Sequence, residues 1–250
     1  MTRFIKCVEF FYAYFIMHLS LFHHINSFEI NLKFSSKFTK SSSLVNYWSF
    51  NSHIQDLIGN AHLFKGSKAS LTSDRFGRPL SALNLSTGFY ELPSINYFSS
   101  GQFTVTMWVN LKSNNLWSRL IEFCNNPGID SISIIAFAAD YSKTEISLFN
   151  YNTVIAKIQN MIALTLNSWT HLAISYGSQN LKVYLNSSIV SDLTTLQQLK
   201  NITRKYNYLG RSCNHAAGDQ DLNAVVDELK IFNKVLNEKE IEYEMRNDIF

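Results

Sequence analysis

The sequence predicts an all-β protein built as a two-layer antiparallel sandwich, and three observations carry that reading. Short runs rich in β-branched and aromatic residues recur from Leu44 to Asn233. Clusters of Asn, Ser and Gly, which supply turn conformations, separate them. In the clearest run, FTVTMWVNL (103–111), Phe103, Val105, Met107, Val109 and Leu111 share one face, with Thr104, Thr106, Trp108 and Asn110 on the other. The second face is not purely polar, as a sandwich strand requires.

Composition narrows the function classes. Charged residues make up 16% of the 250-residue chain and aromatics 14%, which excludes long disorder and a coiled coil. Lys+Arg 22 against Asp+Glu 19 leaves +3 with no block of like charge, so the electrostatic footprint of a nucleic-acid binder is missing.

Taken in order, residues 1–28 carry Arg3 and Lys6, then an apolar run from Cys7 to Leu21, then small polar residues near Ser27. That order is expected of a secretory signal peptide. A signal anchor or a start-site artefact are the competing readings, since Glu9 and His18 interrupt the run. The run is too short and too interrupted to span a bilayer, and no other segment could, so no membrane span is expected in the mature chain. Residues 29–43 are polar and Ser/Lys-rich and read as a linker. One domain is expected over 44–250, with no internal repeat.

Within it the strands are FTVTMWVNL (103–111), SRLIEFC (118–124), SISIIAFAA (131–139), EISLFN (145–150), WTHLAISY (169–176), LKVYLN (181–186), YNYLG (206–210) and AVVDELKIF (224–232). The turn 176–180 joins two of them as a hairpin, with Gly177 and Asn180 tolerating positive φ. Asn237 followed by Glu240 reads as the capping box of a short terminal helix.

The order of four segments resembles the concanavalin A-like lectin/glucanase superfamily, in its laminin G-like (LamG, pentraxin-like) branch. These are LVNYWSFNSHIQDLIGNAHL (44–63), SALNLSTGFYELPSINYFSSGQFTVTMWVNLK (81–112), SWTHLAISYGSQNLKVYLN (168–186), and the closing pair YNYLGRS (206–212) and AVVDELKIFNKVLNEKEI (224–241). The resemblance covers about 44–245. It implies a two-sheet jelly-roll sandwich of roughly a dozen strands with a short C-terminal helix. For function it implies non-catalytic recognition of a carbohydrate or glycoprotein. An extracellular structural module binding protein through a sheet face is the second reading, and a glycoside hydrolase the third.

Hydrolysis needs paired carboxylates in one cleft. No strand reads E-x-D-x-E; Asp219/Asp221 fall in a loop, Asp227/Glu228 on opposite strand faces, and the Glu238–Glu244 run on a helix. No G-x-S-x-G occurs, no histidines have zinc spacing, and His171 reads as a packed strand residue. No catalytic residue is assigned.

The resemblance also implies a structural Ca²⁺ between the loop after the first strand and the Asp of the closing strand. Carried onto this sequence it selects Asp227, Asp56, Asn51 and Asn60, although Asn51 stands where Asp is common in the family. Other readings are a turn carboxylate for Asp56, and a turn cap or a pair with Arg211 for Asp227.

Sugar recognition wants an exposed aromatic platform beside amides and carboxylates. The loop candidates are Trp117, Asn115, Asn125, Asn126, Asn214, Asp219 and Asp221, with Tyr141, Tyr151 and their Asn neighbours behind them, while Trp48, Trp108 and Trp169 read as core. Loss of the signal leaves Cys124 and Cys213, which either close a bridge that sets loops 125–130 and 214–221 side by side or remain two buried thiols. Sequons at Asn84, Asn186 and Asn201 fit glycosylation in a secreted chain.

Overall fold

A computed structural model describes residues 43–136, 143–161 and 164–247. The expected signal peptide, residues 29–42 of the linker, and Tyr141 lie outside them. No helix among the described residues is long and apolar enough to cross a membrane.

Among the described residues thirteen strands form: β1 Leu44–Trp48, β2 Phe64–Thr72, β3 Ala82–Glu91, β4 Phe103–Leu111, β5 Arg119–Cys124, β6 Ile132–Ile135, β7 Thr144–Asn150, β8 Thr153–Met161, β9 Trp169–Gly177, β10 Asn180–Leu185, β11 Ser188–Thr194, β12 Tyr206–Leu209 and β13 Leu222–Phe232. Neighbours run in the order β11, β10, β9, β4, β13, β3, β12, β5, β6, β7, β8, with β1 on β13 and β2 on β3. Each pairing is antiparallel, as hairpin-rich sequences favour.

The core lies between the two halves of this order. Val105, Met107, Leu172 and Ile174 from one half share a buried cluster with Ile121, Phe123, Ile132, Ile146 and Leu148 from the other. The alternation read in 103–111 holds, since its five apolar residues are all in that cluster. Removing that apolar area from water is the main stabilising term, about 25 cal/mol per Å².

β13 makes the topology work by changing partners along its length. Leu222–Val226 pair with β3, and Leu229–Phe232 pair with β1. Between them the register against β4 shifts, and Glu228 takes φ 51, the mark of a bulge. A bulky residue in the left-handed region is strained, and here Tyr47 Oη donates to both Glu228 carboxylate oxygens at 2.8 and 2.9 Å while Lys230 Nζ lies 3.2 Å away.

The helix α1, Glu238–Arg246, begins as read. Asn237 Oδ1 accepts from Glu240 N at 3.1 Å, and Glu240 accepts from Asn237 N at 2.9 Å. Ile241 joins Leu44, Tyr47, Ala173, Tyr184, Phe232 and Leu236 in a second buried cluster, so the helix covers the outer face of the β13/β4/β9/β10 layer.

Two local expectations are corrected. In the β9–β10 hairpin, Ser178 and Gln179 carry the positive φ, 51 and 60, rather than Gly177 and Asn180, because a two-residue connection needs both central residues left-handed. Gly177 is required for space: a Cβ there would lie 2.4 Å from Val235 Cγ2. Trp48 is core at 0% exposure, but Trp108 and Trp169 are half-buried on the outer face of β4 and β9, since positions 108 and 169 alternate away from the core set.

Candidate functional site

The outer face of β5, β6 and β7 forms a groove of about 350 Å³. Alternation dictates its floor. On β5, Leu120, Ile121 and Phe123 go to the core and Glu122 goes out, while the register shift between Arg119 and Ile121 turns Arg119 out as well. On β6, Ile132 and Ile134 go in, leaving Ser133 and Ile135; on β7, Ile146 and Leu148 go in, leaving Glu145, Ser147 and Phe149. Register then sets the rows: Glu122 lies opposite Ser133, Ser133 opposite Ser147, and Ile135 opposite Glu145. Small hydroxyl residues at the centre make the floor deep. Half-buried Trp117 and Phe149 line the groove, with Pro127, Gly128 and Asn214 at its rim.

Trp117 has φ 53, a costly conformation for an aromatic residue. It is fixed on both sides: Ser118 N donates to Asn115 O at 3.2 Å, and the Arg119 guanidinium donates to Trp117 O and lies 5.9 Å from the indole centroid.

The charged groups of the floor are buried and tied to one another. Glu122, 3% exposed, accepts from Ser131 Oγ at 2.8 Å and from Cys213 N at 2.9 Å, and pairs with Arg119 Nε at 3.2 Å. Arg119 also reaches Asp219 at 3.2 Å. Glu145, 4% exposed, pairs with Lys157 at 3.2 Å and accepts from Gln159 at 3.1 Å. Two buried groups lining the groove have no hydrogen-bond partner: the Ser133 hydroxyl and, despite its ion pair with Glu122, Arg119 Nε. Buried hydroxyls are nearly always satisfied, so an orphan lining a groove marks where a ligand group belongs.

Cys124 and Cys213 are joined in a disulfide, with Cα atoms 6.7 Å apart. The bond sets loops 125–130 and 214–221 beside each other, and Pro127, Gly128 and Asn214 line the same groove.

The seven sequence candidates for ligand contact are not one site. Trp117 and Asn214 meet in the groove described. Asn115, Asp219 and Asp221 line a second recess of about 650 Å³ with Lys68, Arg211 and His215. There Arg211 pairs bidentately with Asp221 at 2.8 and 2.7 Å, and Asn115 Nδ2 donates to Asp221 O at 2.7 Å. Asn125 is structural, donating to Asp130 at 3.1 Å and accepting from Lys205 N at 3.0 Å; Asn126 is exposed in the turn that follows. Sequence reading missed Arg119, Glu122, Ser133, Glu145 and Ser147. Their signal was the outward set of the strands, visible only once register put three strands side by side. It also missed that Glu122 and Glu145, on different strands, share one floor.

Of the four calcium candidates, Asp56 and Asp227 have their oxygens engaged by protein donors. Both oxygens of Asp56 face N–H donors: Tyr47 N at 2.9 Å and Ile58 N at 3.0 Å on one, Asn46 Nδ2 at 2.6 Å, Gly59 N at 3.1 Å and Ala61 N at 2.9 Å on the other. Burial pushes the Asp56 carboxyl up, but these hydrogen bonds outweigh it and hold it below the usual range. Asp227 pairs with Arg75 at 2.9 Å rather than with Arg211, and accepts from Glu228 N at 2.9 Å. Asn60 is exposed with φ 58, and Asn51 is half-buried. Calcium needs free oxygens, and a cation at Asp56 or Asp227 would displace donors already in place. Among the described residues no group of three or more His, Cys, Asp or Glu is arranged for a metal.

His171 is packed, 2% exposed, with its ring 5.3 Å from that of Trp108. Burial, with Lys230 and Arg75 nearby, lowers its pKa to about 3, so it stays neutral. Of the sequons, Asn186 and Asn201 are exposed, whereas Asn84 is half-buried in β3 between β2 and β13.

A search of curated protein sequences finds no match. Among solved structures, the chain is similar to domain 4 of AbnA, a GH43 extracellular arabinanase from Geobacillus stearothermophilus, in complex with arabinotriose: TM-score 0.65, 20% identity, 81% of this chain and 98% of that one. It is also similar to botulinum neurotoxin type C, whose cell entry depends on two ganglioside molecules (TM-score 0.60, 16% identity, 82% and 51% covered). A third is the binding domain of botulinum neurotoxin DC in complex with rat synaptotagmin II (TM-score 0.60, 18% identity, 82% and 51% covered). The chain spans about half the length of the two toxin chains, and at these identities the likeness is one of fold. A laminin G-like family model, described as the concanavalin A-like lectin/glucanases superfamily, matches residues 85–242, from within β3 to within α1. The chain therefore belongs to the concanavalin A-like lectin/glucanase superfamily.

Proposed function

We propose that this is a secreted, non-catalytic binding domain that takes a carbohydrate or glycoprotein glycan in the groove over β5, β6 and β7. The observation that carries the reading is the groove itself: an unpartnered buried hydroxyl, Ser133 Oγ, on a polar floor lined by Trp117 and Phe149. Sugars present apolar C–H faces that stack on aromatic rings and hydroxyls that both donate and accept, and this lining offers a partner for each. The disulfide supports an oxidising compartment and hence secretion. The arabinotriose complex of the AbnA domain and the ganglioside dependence of the type C toxin support the ligand class by analogy of fold.

Glu122 and Glu145 prompt comparison with hydrolases of the same fold. Each is committed to cations and N–H or O–H donors, which argues against a general acid with a proton to give.

The test is a glycan array with the domain and its Trp117→Ala variant. Wild type should bind a defined set of glycans, the variant should lose at least tenfold in affinity, and bound oligosaccharides should be recovered uncleaved. A blank array with folded protein would move the reading to a protein-binding module, and cleavage would make the domain an enzyme.

A further inference from the structure

We propose that the groove selects neutral saccharides over acidic ones, with Ser133 Oγ as the specificity-determining group. The inference rests on reading the groove as a sugar site.

An acidic sugar carries a carboxylate or sulfate that must meet a cation or several free N–H donors once out of water. The floor offers no unpaired cation and, among the described residues that line it, one N–H without a hydrogen-bond partner, Arg119 Nε. Arg119 is the only cation lining it among the described residues; its charge is paired with Glu122 and Asp219 and its guanidinium donates to Trp117 O, while Nε is left without a hydrogen-bond partner. Lys157, on the next strand, is held by Glu145. Three carboxylates therefore stand against two cations in this network. An incoming anion would face Glu122 and Glu145 with no charge left to receive it, in a site where low dielectric strengthens repulsion.

The neutral group left unmatched is of the opposite kind. Ser133, 2% exposed, sits on the middle strand, opposite Glu122 on one side and Ser147 on the other. Its hydroxyl is neutral, rotates freely and both donates and accepts. A sugar hydroxyl is its complement, because the pair satisfies both partners whichever way the proton points. Stacking on Trp117 needs only a C–H face and is indifferent to charge, so the aromatic residue supplies affinity and the floor supplies selection.

This predicts an effect that a merely structural serine would not show. Removing an unsatisfied buried hydroxyl costs the fold nothing, so Ser133→Ala should keep or raise the Tm. In the ligand complex the same change deletes a hydrogen bond, and affinity should fall about five- to tenfold. Glu145→Gln removes one carboxylate and frees Lys157, so it should raise binding of acidic glycans relative to neutral ones.

The experiment is an array of neutral oligosaccharides, arabinotriose among them, beside sialylated, sulfated and uronate-containing ones. It is probed with wild type, Trp117→Ala, Ser133→Ala and Glu145→Gln, each with its melting curve. Neutral binding that Ser133→Ala weakens without loss of Tm is the expected result. Acidic glycans bound as tightly as neutral ones, and lost in Trp117→Ala, would overturn the selectivity while leaving the groove as the sugar site. Neutral binding indifferent to Ser133→Ala would overturn the role of that hydroxyl. No glycan bound, or binding indifferent to Trp117→Ala, would overturn the groove reading itself.

Discussion

His171 shows how a single residue, correctly read as packed, still carries a solution property that only its surroundings reveal. In WTHLAISY it alternates with the core set, so it goes outward, and Arg75 and Lys230 converge there from other parts of the chain. Its pKa falls from 6.5 to about 3 in the fold. The unfolded chain therefore binds a proton near pH 6.5 that the native state refuses until about 3, and stability falls as pH drops through that window. His171→Phe should flatten the dependence of urea-unfolding midpoint on pH between 6.5 and 4, and an unchanged slope would assign the acid sensitivity elsewhere. Asp56 shows the opposite limit. The D-x-x-G-N string marks a turn, and the turn is there, but five converging donors make it a structural carboxylate. EDTA should then leave the Tm unchanged, while Asp56→Ala should lower it by leaving several buried N–H groups unpaired, at about 1–3 kcal/mol each. A fall in Tm on EDTA treatment would restore the calcium site.

At the scale of elements, strand existence was legible and strand neighbours were not. The run 103–111 is β4 to the residue, and 145–150, 169–176 and 224–232 fall within one or two residues of β7, β9 and β13. β2, β8 and β11 escaped because FKGSKASLT, TVIAKIQNM and SIVSDLT lack strong alternation. Position explains two of them: β11 and β8 end the strand order, each laddered to one neighbouring strand only, so fewer of their side chains must pack. The cysteines had two readings, and the pairing of Tyr206 with Cys124 decided between them by carrying Cys213 to the end of β5. The bridge joins residues 89 apart in sequence, which constrains the unfolded chain by about 4.6 kcal/mol. Cys124→Ala with Cys213→Ala should lower unfolding free energy by that order in urea titration. It should also weaken glycan binding, because the bond holds Cys213 N on Glu122. Loss of stability with unaltered binding would separate the staple from the site.

For the whole molecule, composition and periodicity determined the class: an aromatic-rich, weakly charged chain with period-two runs must bury two sheet faces against each other. They also determined the terminal helix, because a capping box is a local device whose partners lie three residues apart. Trp117 and Asn214 could be picked as loop residues of the right chemistry. The floor between them could not, because Glu122, Ser133 and Glu145 are each unremarkable within their own strands. They become a site only when β5, β6 and β7 lie side by side in one register, which sets Glu122 against Ser133 and Ile135 against Glu145. The alternation of a strand is written in its own residues, and that is what the sequence determined. Which strand lies beside it, and therefore which outward side chains share a groove, depends on contacts between distant segments, and only the tertiary structure decides it.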